Sequence, residues 1–307
     1  MVYSVKHPAP VLGAYGAAVL ERAPESDSAL VLAGGGVAGI AWELGVLRGI
    51  ADADPALAAR LLAADLVIGT SAGSSVAAQI TSGVPLDELY AAQLRPETAE
   101  IAVDVDLPAL FADMGAAMAG ATDPEDAGRR MGAIALAART GDPVLRHAAV
   151  DARLPVKSWP ERRVLLPAVD TGSGELTVFT RHSGVALVDA VAASCAVPGV
   201  WPPVPIGGRR YLDGGTRTMA NADLAAGAHR VLVVVPALAD APQLWGRSLA
   251  DELAVLAPAA VAVVHADQPS VEAFGTDALS PSTRAAAARA GRAVGAAGAG
   301  RVAALWS

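Results

Sequence analysis

Residues 66–80 constrain this chain more than any other stretch. Leu66-Val67-Ile68 is an apolar run, Gly69-Thr-Ser-Ala-Gly73 follows, and Ser74-Ser-Val-Ala-Ala-Gln-Ile80 has helical composition. Strand, tight turn and helix in that order make an elbow that lifts a serine hydroxyl off the end of a sheet. Gly69 and Gly73 flank Ser71 because a side chain at either position would crowd the turn. The helix that starts there aims free N–H groups, and the positive end of its dipole, at charge developing beside the serine. The plainer alternative is a helix start rich in small residues, with Thr70 or Ser71 as its N-cap.

A second glycine turn lies upstream. Ala29-Leu-Val-Leu-Ala33 reads as a short buried strand closed by Gly34-Gly-Gly-Val-Ala-Gly39, and Ile40, Leu44 and Leu47 then share one face of a helix. With Asp65–Ile68 as the next strand, this is a βαβ unit. Gly34, Gly36 and Gly39 also fit the spacing of a dinucleotide-binding loop. That fold wants an acid at the carboxyl end of the second strand to hold a ribose, whereas here the acid, Asp65, begins the strand. The better reading is an oxyanion hole, with the amides of Gly34, Gly35, Gly36 and Val37 as its donors and Gly39 supporting the turn. In a parallel unit the loops after both strands lie at the same edge, so topology brings this turn to Ser71.

A serine nucleophile needs a proton acceptor. Asp213 ends a short strand and is followed by Gly214 and Gly215, which let the backbone present it in a tight turn; an ordinary Asp-Gly hairpin is the alternative. Among the histidines, His7 lies in the N-terminal arm, His147 in a helical region, and His229 before a strand, at the wrong edge. His182 and His265 both end strands, and His265 with Asp267 beside it follows the chain order of a Ser-acid-His triad, which leaves a second option open.

The rest of the chain fits one α/β domain over residues 1–307, with a helical insertion at about 84–158 expected to cap the site. Strands are predicted at Arg163–Asp170, Glu175–Thr180, Arg209–Asp213, Arg230–Val235 and Ala259–Val264. Helices are predicted at Leu86–Leu94, Ala127–Ala138 and Val185–Ala196, with Asn221 capping another at Ala222–Ala226. Ser280 and Pro281 start the last helix, with Arg284, Arg289 and Arg292 on its solvated face.

Composition narrows the function classes. A net charge of -8 opposes nucleic-acid binding, which needs clustered Lys and Arg. The only cysteine, Cys195, excludes an intrachain disulfide and, in its Ala/Val setting, reads as a buried inert thiol in a reducing, cytoplasmic protein. Mean hydropathy is +0.41, yet the most apolar stretch, Leu253–Val264, is too short to span a bilayer and contains Pro258. The run Ala9–Leu20 faintly resembles a secretory signal but lacks a cleavage site. Asp104, Asp106, Asp113, Asp123, Glu125 and Asp126 lack metal-ligand spacing and read as solvated acids, so neither metal nor cofactor is expected. No polybasic patch is present, so any transient contact with a membrane surface would be local and apolar. Nothing bears on oligomeric state.

Taken in order, Gly34–Gly39, Gly69–Gly73, Ala193-Ser-Cys-Ala-Val-Pro-Gly-Val-Trp-Pro-Pro203 and Asp213-Gly-Gly215 resemble the patatin-like phospholipase family over about residues 28–235. The resemblance implies a three-layer α/β/α sandwich with a mainly parallel central sheet. It implies that Ser71 is the nucleophile, Asp213 its base in a dyad without histidine, and the glycine turn the oxyanion hole. It further implies a lipid acyl hydrolase acting on phospholipid, glycolipid, acylglycerol or model esters without a metal. One departure stands out: the family usually carries Arg or Lys where this chain has Ala38, which favours a neutral ester, a thioester or a small acyl compound. An acyltransferase with the same dyad and a non-catalytic lipid-binding module are the rival expectations.

Overall fold

The computed structural model describes residues 27–306 apart from Asp104 and residues 243–245. The arm expected over 1–28, with its apolar run and His7, lies outside the described residues except at its last two positions. The strands are β1 (Ser28–Leu32), β2 (Leu66–Gly69), β3 (Arg163–Asp170), β4 (Leu176–Phe179), β5 (Val204–Ile206), β6 (Arg209–Asp213), β7 (Arg230–Val235) and β8 (Ala260–His265). The helices are α1 (Gly36–Ala53), α2 (Pro55–Leu62), α3 (Ala72–Ile80), α4 (Leu86–Leu94), α5 (Leu107–Met118) and α6 (Pro124–Ala137). They continue with α7 (Pro143–Arg153), α8 (Leu187–Ser194), α9 (Leu249–Ala254), α10 (Gln268–Phe274) and α11 (Arg284–Trp306).

The strands form one sheet in the order β5-β6-β3-β2-β1-β7-β8, with β4 pairing the other side of β3. Pairing is parallel from β3 through β8 and antiparallel around β4, β5 and β6. Strand alternation sorts the core into two faces. Leu30 and Leu32 point with Val67, Val164, Leu232 and Val234 towards α1, α3, α8 and α11. Ala29, Val31 and Ala33 point with Ile68, Val231 and Val233 towards Ala222, Ala225 and α9. Helices on both faces of a mainly parallel sheet make this the expected three-layer α/β/α fold.

Register explains how an antiparallel strand delivers Asp213 to the elbow. Ile68 pairs with Leu165, so β3 runs on past the end of β2, and β6 pairs with that overhang, placing Asp213 opposite Ala168. Ala168 lies as many residues beyond Leu165 as Ser71 lies beyond Ile68. Because β6 runs in the opposite direction, its last residue lands at the carboxyl edge of the parallel strands.

The chain also uses residues in ways their local pattern does not advertise. Asp106, Asp123 and Asp142 are N-caps, accepting the amides of Ala109, Asp126 and Val144 at the starts of α5, α6 and α7. Asp65 accepts both the amide and the hydroxyl of Ser28, tying the start of β1 to that of β2. The long α11 packs backbone to backbone on α1. A Cβ at Gly45 or Gly49 would meet the carbonyls of Ala288 and Arg292 at 2.2 and 2.0 Å, and one at Gly291 or Gly295 those of Trp42 and Val46 at 2.1 and 2.0 Å.

Several expectations are revised. The predicted helix at 222–226 is a 3-10 turn, Ala222–Ala225, and the Asn221 side chain makes no cap bond to it. Ser280 caps a short 3-10 turn, Pro281–Thr283, that precedes α11 rather than α11 itself. Arg284 is not solvated: it is buried, and its guanidinium donates to Gln93 and to the carbonyls of Ala92 and Arg95, because α4 closes over the start of α11.

Candidate active site

Ser71 joins β2 to α3 with φ 53° and ψ -117°, a strained conformation for a residue with a side chain. The turn is held from every side. Thr70 donates its amide to Leu32, Gly73 donates to Ala33, and Ser71 donates its own amide to the Ser194 hydroxyl at 3.1 Å. The Ser71 carbonyl accepts from the Ser74 hydroxyl at 2.6 Å and from the Cys195 thiol at 3.0 Å. Cys195 is therefore buried as expected, but in a polar pocket under the elbow rather than an apolar one. Gly73 is required by close approach, since a Cβ there would lie 2.1 Å from the Leu32 carbonyl.

Asp213 is buried, and its Oδ1 accepts the Gly215 amide at 2.7 Å. The Ser71 hydroxyl approaches the carboxylate closely enough to act on its pKa, but short of full hydrogen-bond geometry, and Oδ2 has no bonded partner among the described residues. Catalytic hydrogen bonds are commonly long in the absence of substrate. Burial raises the Asp213 pKa to about 7, with the Ser71 hydroxyl, the Gly215 amide and the Arg146 charge acting the other way. A carboxyl ordinarily too acidic to accept a hydroxyl proton is thereby brought towards the neutral range.

The glycine turn packs directly against the serine: a Cβ on Gly34 would lie 3.4 Å from the Ser71 Cβ. The Gly34 amide is engaged by the Met219 carbonyl at 2.8 Å, so Gly34 braces the turn. The amides of Gly35, Gly36 and Val37 open α1 and have no acceptor among the described residues. Gly36 needs its freedom, with φ 66° and a hypothetical Cβ only 2.7 Å from the Ala278 carbonyl. Glu43, further along α1, is a buried carboxyl that desolvation keeps well above the ordinary range.

Other groups converge here without a motif to announce them. A cavity of about 20 Å³ is lined by Gly36, Ser71, Arg146, Arg153, Cys195 and Trp201 among others. Arg153 is held by both carboxylate oxygens of Glu100 at 2.6 Å, a desolvated bidentate pair. Arg146 lies over the Trp201 ring at 4.0 Å and donates weakly to the Cys195 carbonyl at 3.5 Å. Its pKa is lowered by burial to about 9, so it remains charged at neutral pH.

Asn221 links the two halves of the site. Fully buried and left-handed at φ 52°, it donates Nδ2 to Thr70 Oγ1, to the Gly214 carbonyl and to the Thr218 carbonyl. Arg217 holds its Oδ1.

Among the described residues no histidine lines the cavity. His265 ends β8, three strand spacings from β2, or about 14 Å across the sheet. Its Nδ1 lies 3.3 Å from the Ala237 carbonyl, and Asp267 is occupied in capping α10 through Ser270. His147 pairs with Asp189, and His229 with Asp27. Among the described residues no cluster of His, Cys, Asp and Glu could hold a metal, and no helix is long and apolar enough to cross a membrane.

Fold and site together describe a three-layer α/β protein with a strained serine elbow facing a buried acid. Residues 30–226 match the sequence model described as Patatin-like phospholipase, and the chain belongs to that family. Among curated proteins no sequence matches it. Solved structures similar to it include VipD from Legionella pneumophila, with 12% identity, a TM-score of 0.43, and 89% of this chain and 66% of that one covered. The type III effector protein ExoU gives 15% identity and a TM-score of 0.40, with 91% and 54% covered. The chain thus spans a little under two thirds of the first and about half of the second.

Proposed function

We propose that the protein is a serine acyl hydrolase that cleaves carboxylic esters of lipids through a Ser71–Asp213 dyad. The observation that carries this reading is the strained elbow serine next to a buried carboxyl with a pKa of about 7. Ser71 Oγ attacks the ester carbonyl as Asp213 takes its proton, and the amides of Gly35, Gly36 and Val37 receive the oxyanion. The alcohol leaves with the proton from Asp213, and water activated by the same carboxylate releases the acid from the acyl-enzyme. A positioned base contributes about 10²–10⁴ in rate, and each oxyanion donor about 10²–10³.

The cavity beside Ser71 is narrow, about 20 Å³. Trp201 and Leu279, which line that cavity, pack with Val200 against Val105, Leu110 and Phe111 of the insertion, and this contact supports reading the insertion as a cap that shifts to admit substrate. A fluorophosphonate probe tests the reading. Labelling of the native protein that is lost in Ser71→Ala, together with Ser71-dependent release of nitrophenol from short-chain esters, is the expected result. Absence of both would favour a non-catalytic binding protein.

A further inference from the structure

Arg146 is the unusual charge in this molecule. It is 7% exposed, it projects from α7 into the cavity that Ser71 lines, and it forms no ion pair among the described residues. Its neighbours are provided for. Both oxygens of Glu100 belong to Arg153, and Arg284 is held by the carbonyls of Ala92 and Arg95. Asp213 is close enough to act on Arg146 through space, yet its oxygens are engaged by Gly215 or turned to Ser71. That leaves Arg146 with an aromatic face at 4.0 Å and one long contact to a carbonyl. A buried guanidinium without a counter-ion is costly, and the cost is offset when an anion arrives. Stacking on Trp201 also fixes the plane of the fork, so little freedom remains to be lost on binding.

We propose that Arg146 is a specificity-determining residue that anchors an oxyanion, carboxylate or phosphate, carried by the substrate within a few bonds of the scissile ester. The inference rests on Ser71 being the nucleophile, because the serine fixes where the ester lies relative to the guanidinium. It supplies from α7 the positive charge that the glycine turn lacks at Ala38. Substrates without such a group leave Arg146 buried and unpaired in the closed complex, and are selected against.

The test compares nitrophenyl esters of butyric, succinic and 3-phosphonopropionic acids, matched in length and differing in terminal charge, with Ser71→Ala as the blank. At least one anionic ester should exceed the neutral one in kcat/KM by about tenfold to a hundredfold, the range of a charge-assisted hydrogen bond; which one does distinguishes carboxylate from phosphate. In Arg146→Gln that ratio should collapse towards one, and Arg146→Lys should restore part of it. A binding arm needs no turnover: inorganic phosphate or succinate should raise the Tm of Ser71→Ala and leave that of Ser71→Ala/Arg146→Gln unmoved. A wild-type enzyme that treats the three esters alike, or a ratio unchanged in Arg146→Gln, overturns the proposal. If no ester is turned over at all, the nucleophile assignment fails, and the Tm measurement alone then decides whether Arg146 binds anions.

Discussion

The side-chain amide of Asn221 donates to the hydroxyl of Thr70 across 3.1 Å, joining residues 151 apart in sequence. Thr70 precedes the elbow serine, and the same amide reaches the Gly214 carbonyl, next to Asp213, at 3.2 Å. One buried group therefore ties the turn that carries Ser71 to the turn that carries Asp213. Asn221→Ala should destabilise the protein by about 1–3 kcal/mol and lower kcat more than it raises KM. Asn221→Gly relieves the left-handed backbone but not the lost bonds. If Asn221→Gly recovered full kcat, the amide would be irrelevant to catalysis; chemical denaturation and steady-state kinetics on the pair decide.

The raised pKa of Asp213 has two consequences of opposite sign. Activity should rise with pH through about 7 as the carboxyl ionises and becomes a base, then level off. Stability should move the other way. The unfolded carboxyl loses its proton near its ordinary 3.8 and the folded one near 7, so the folded state holds the extra proton in between and this contribution falls as pH rises across that window. Asp213→Asn should accordingly raise Tm relative to wild type at pH 8, with the difference vanishing towards pH 4, while kcat falls about 10²–10⁴-fold. Glu252, also buried and raised to about 7, adds to the wild-type trend but not to the difference between the two proteins.

Strain at Ser71 predicts a gain of stability on its removal. Ser71→Gly accepts φ 53° without penalty and should be more stable than Ser71→Ala by about 1 kcal/mol, with both inactive. Calorimetry of the two variants checks this, and equal Tm values would mean the turn is not strained.

The packing of α1 on α11 yields a contrast within one helix. Gly295→Val drives a side chain into the Val46 carbonyl and should cost about 3 kcal/mol or more. Gly300→Ala, in the same helix with nothing within 4 Å, should gain about 1 kcal/mol from helix propensity. Urea midpoints for the two measure both signs.

Val144 and Leu145 are the most exposed large apolar side chains described, at 73% and 61%, and they begin the helix that carries Arg146. Proposed as the local contact with a lipid surface, they predict that Val144→Asp/Leu145→Asp weakens activity on vesicle-borne esters about tenfold or more, since each buried apolar side chain is worth about 1.5–3 kcal/mol. Turnover of a soluble nitrophenyl ester should stay within twofold. Parallel losses on both substrates would argue for damage to the fold.

Ser71, Asp213 and the glycine turn stand out in the sequence as candidates because each sits at a local backbone requirement that leaves its mark in adjacent residues. Arg146, Asn221 and Cys195 leave none. Arg146 is one charge in an Ala-rich helix, and what matters about it is the absence of an acid that the sequence supplies in abundance nearby. Asn221 looked like a cap because Asn so often is one, yet its side chain is committed to partners on two other loops. The acids of the insertion read as solvated surface, whereas two of them, Asp106 and Asp123, end up stopping helices from fraying. In α11, glycines that weaken a helix in isolation are what let it approach another at backbone distance.

That approach reaches back to the chemistry. The first turn of α1 offers the unpaired amides, and the rest of its length is clasped by a helix made from the final residues of the chain, well beyond the last position, 226, that the family's sequence model matches. A fragment ending there would retain every signature motif and lose the helix packed along α1, whose first turn carries the proposed oxyanion donors. The most anonymous-looking segment of this protein, a run of alanine, glycine and arginine, is what makes its earliest motif rigid.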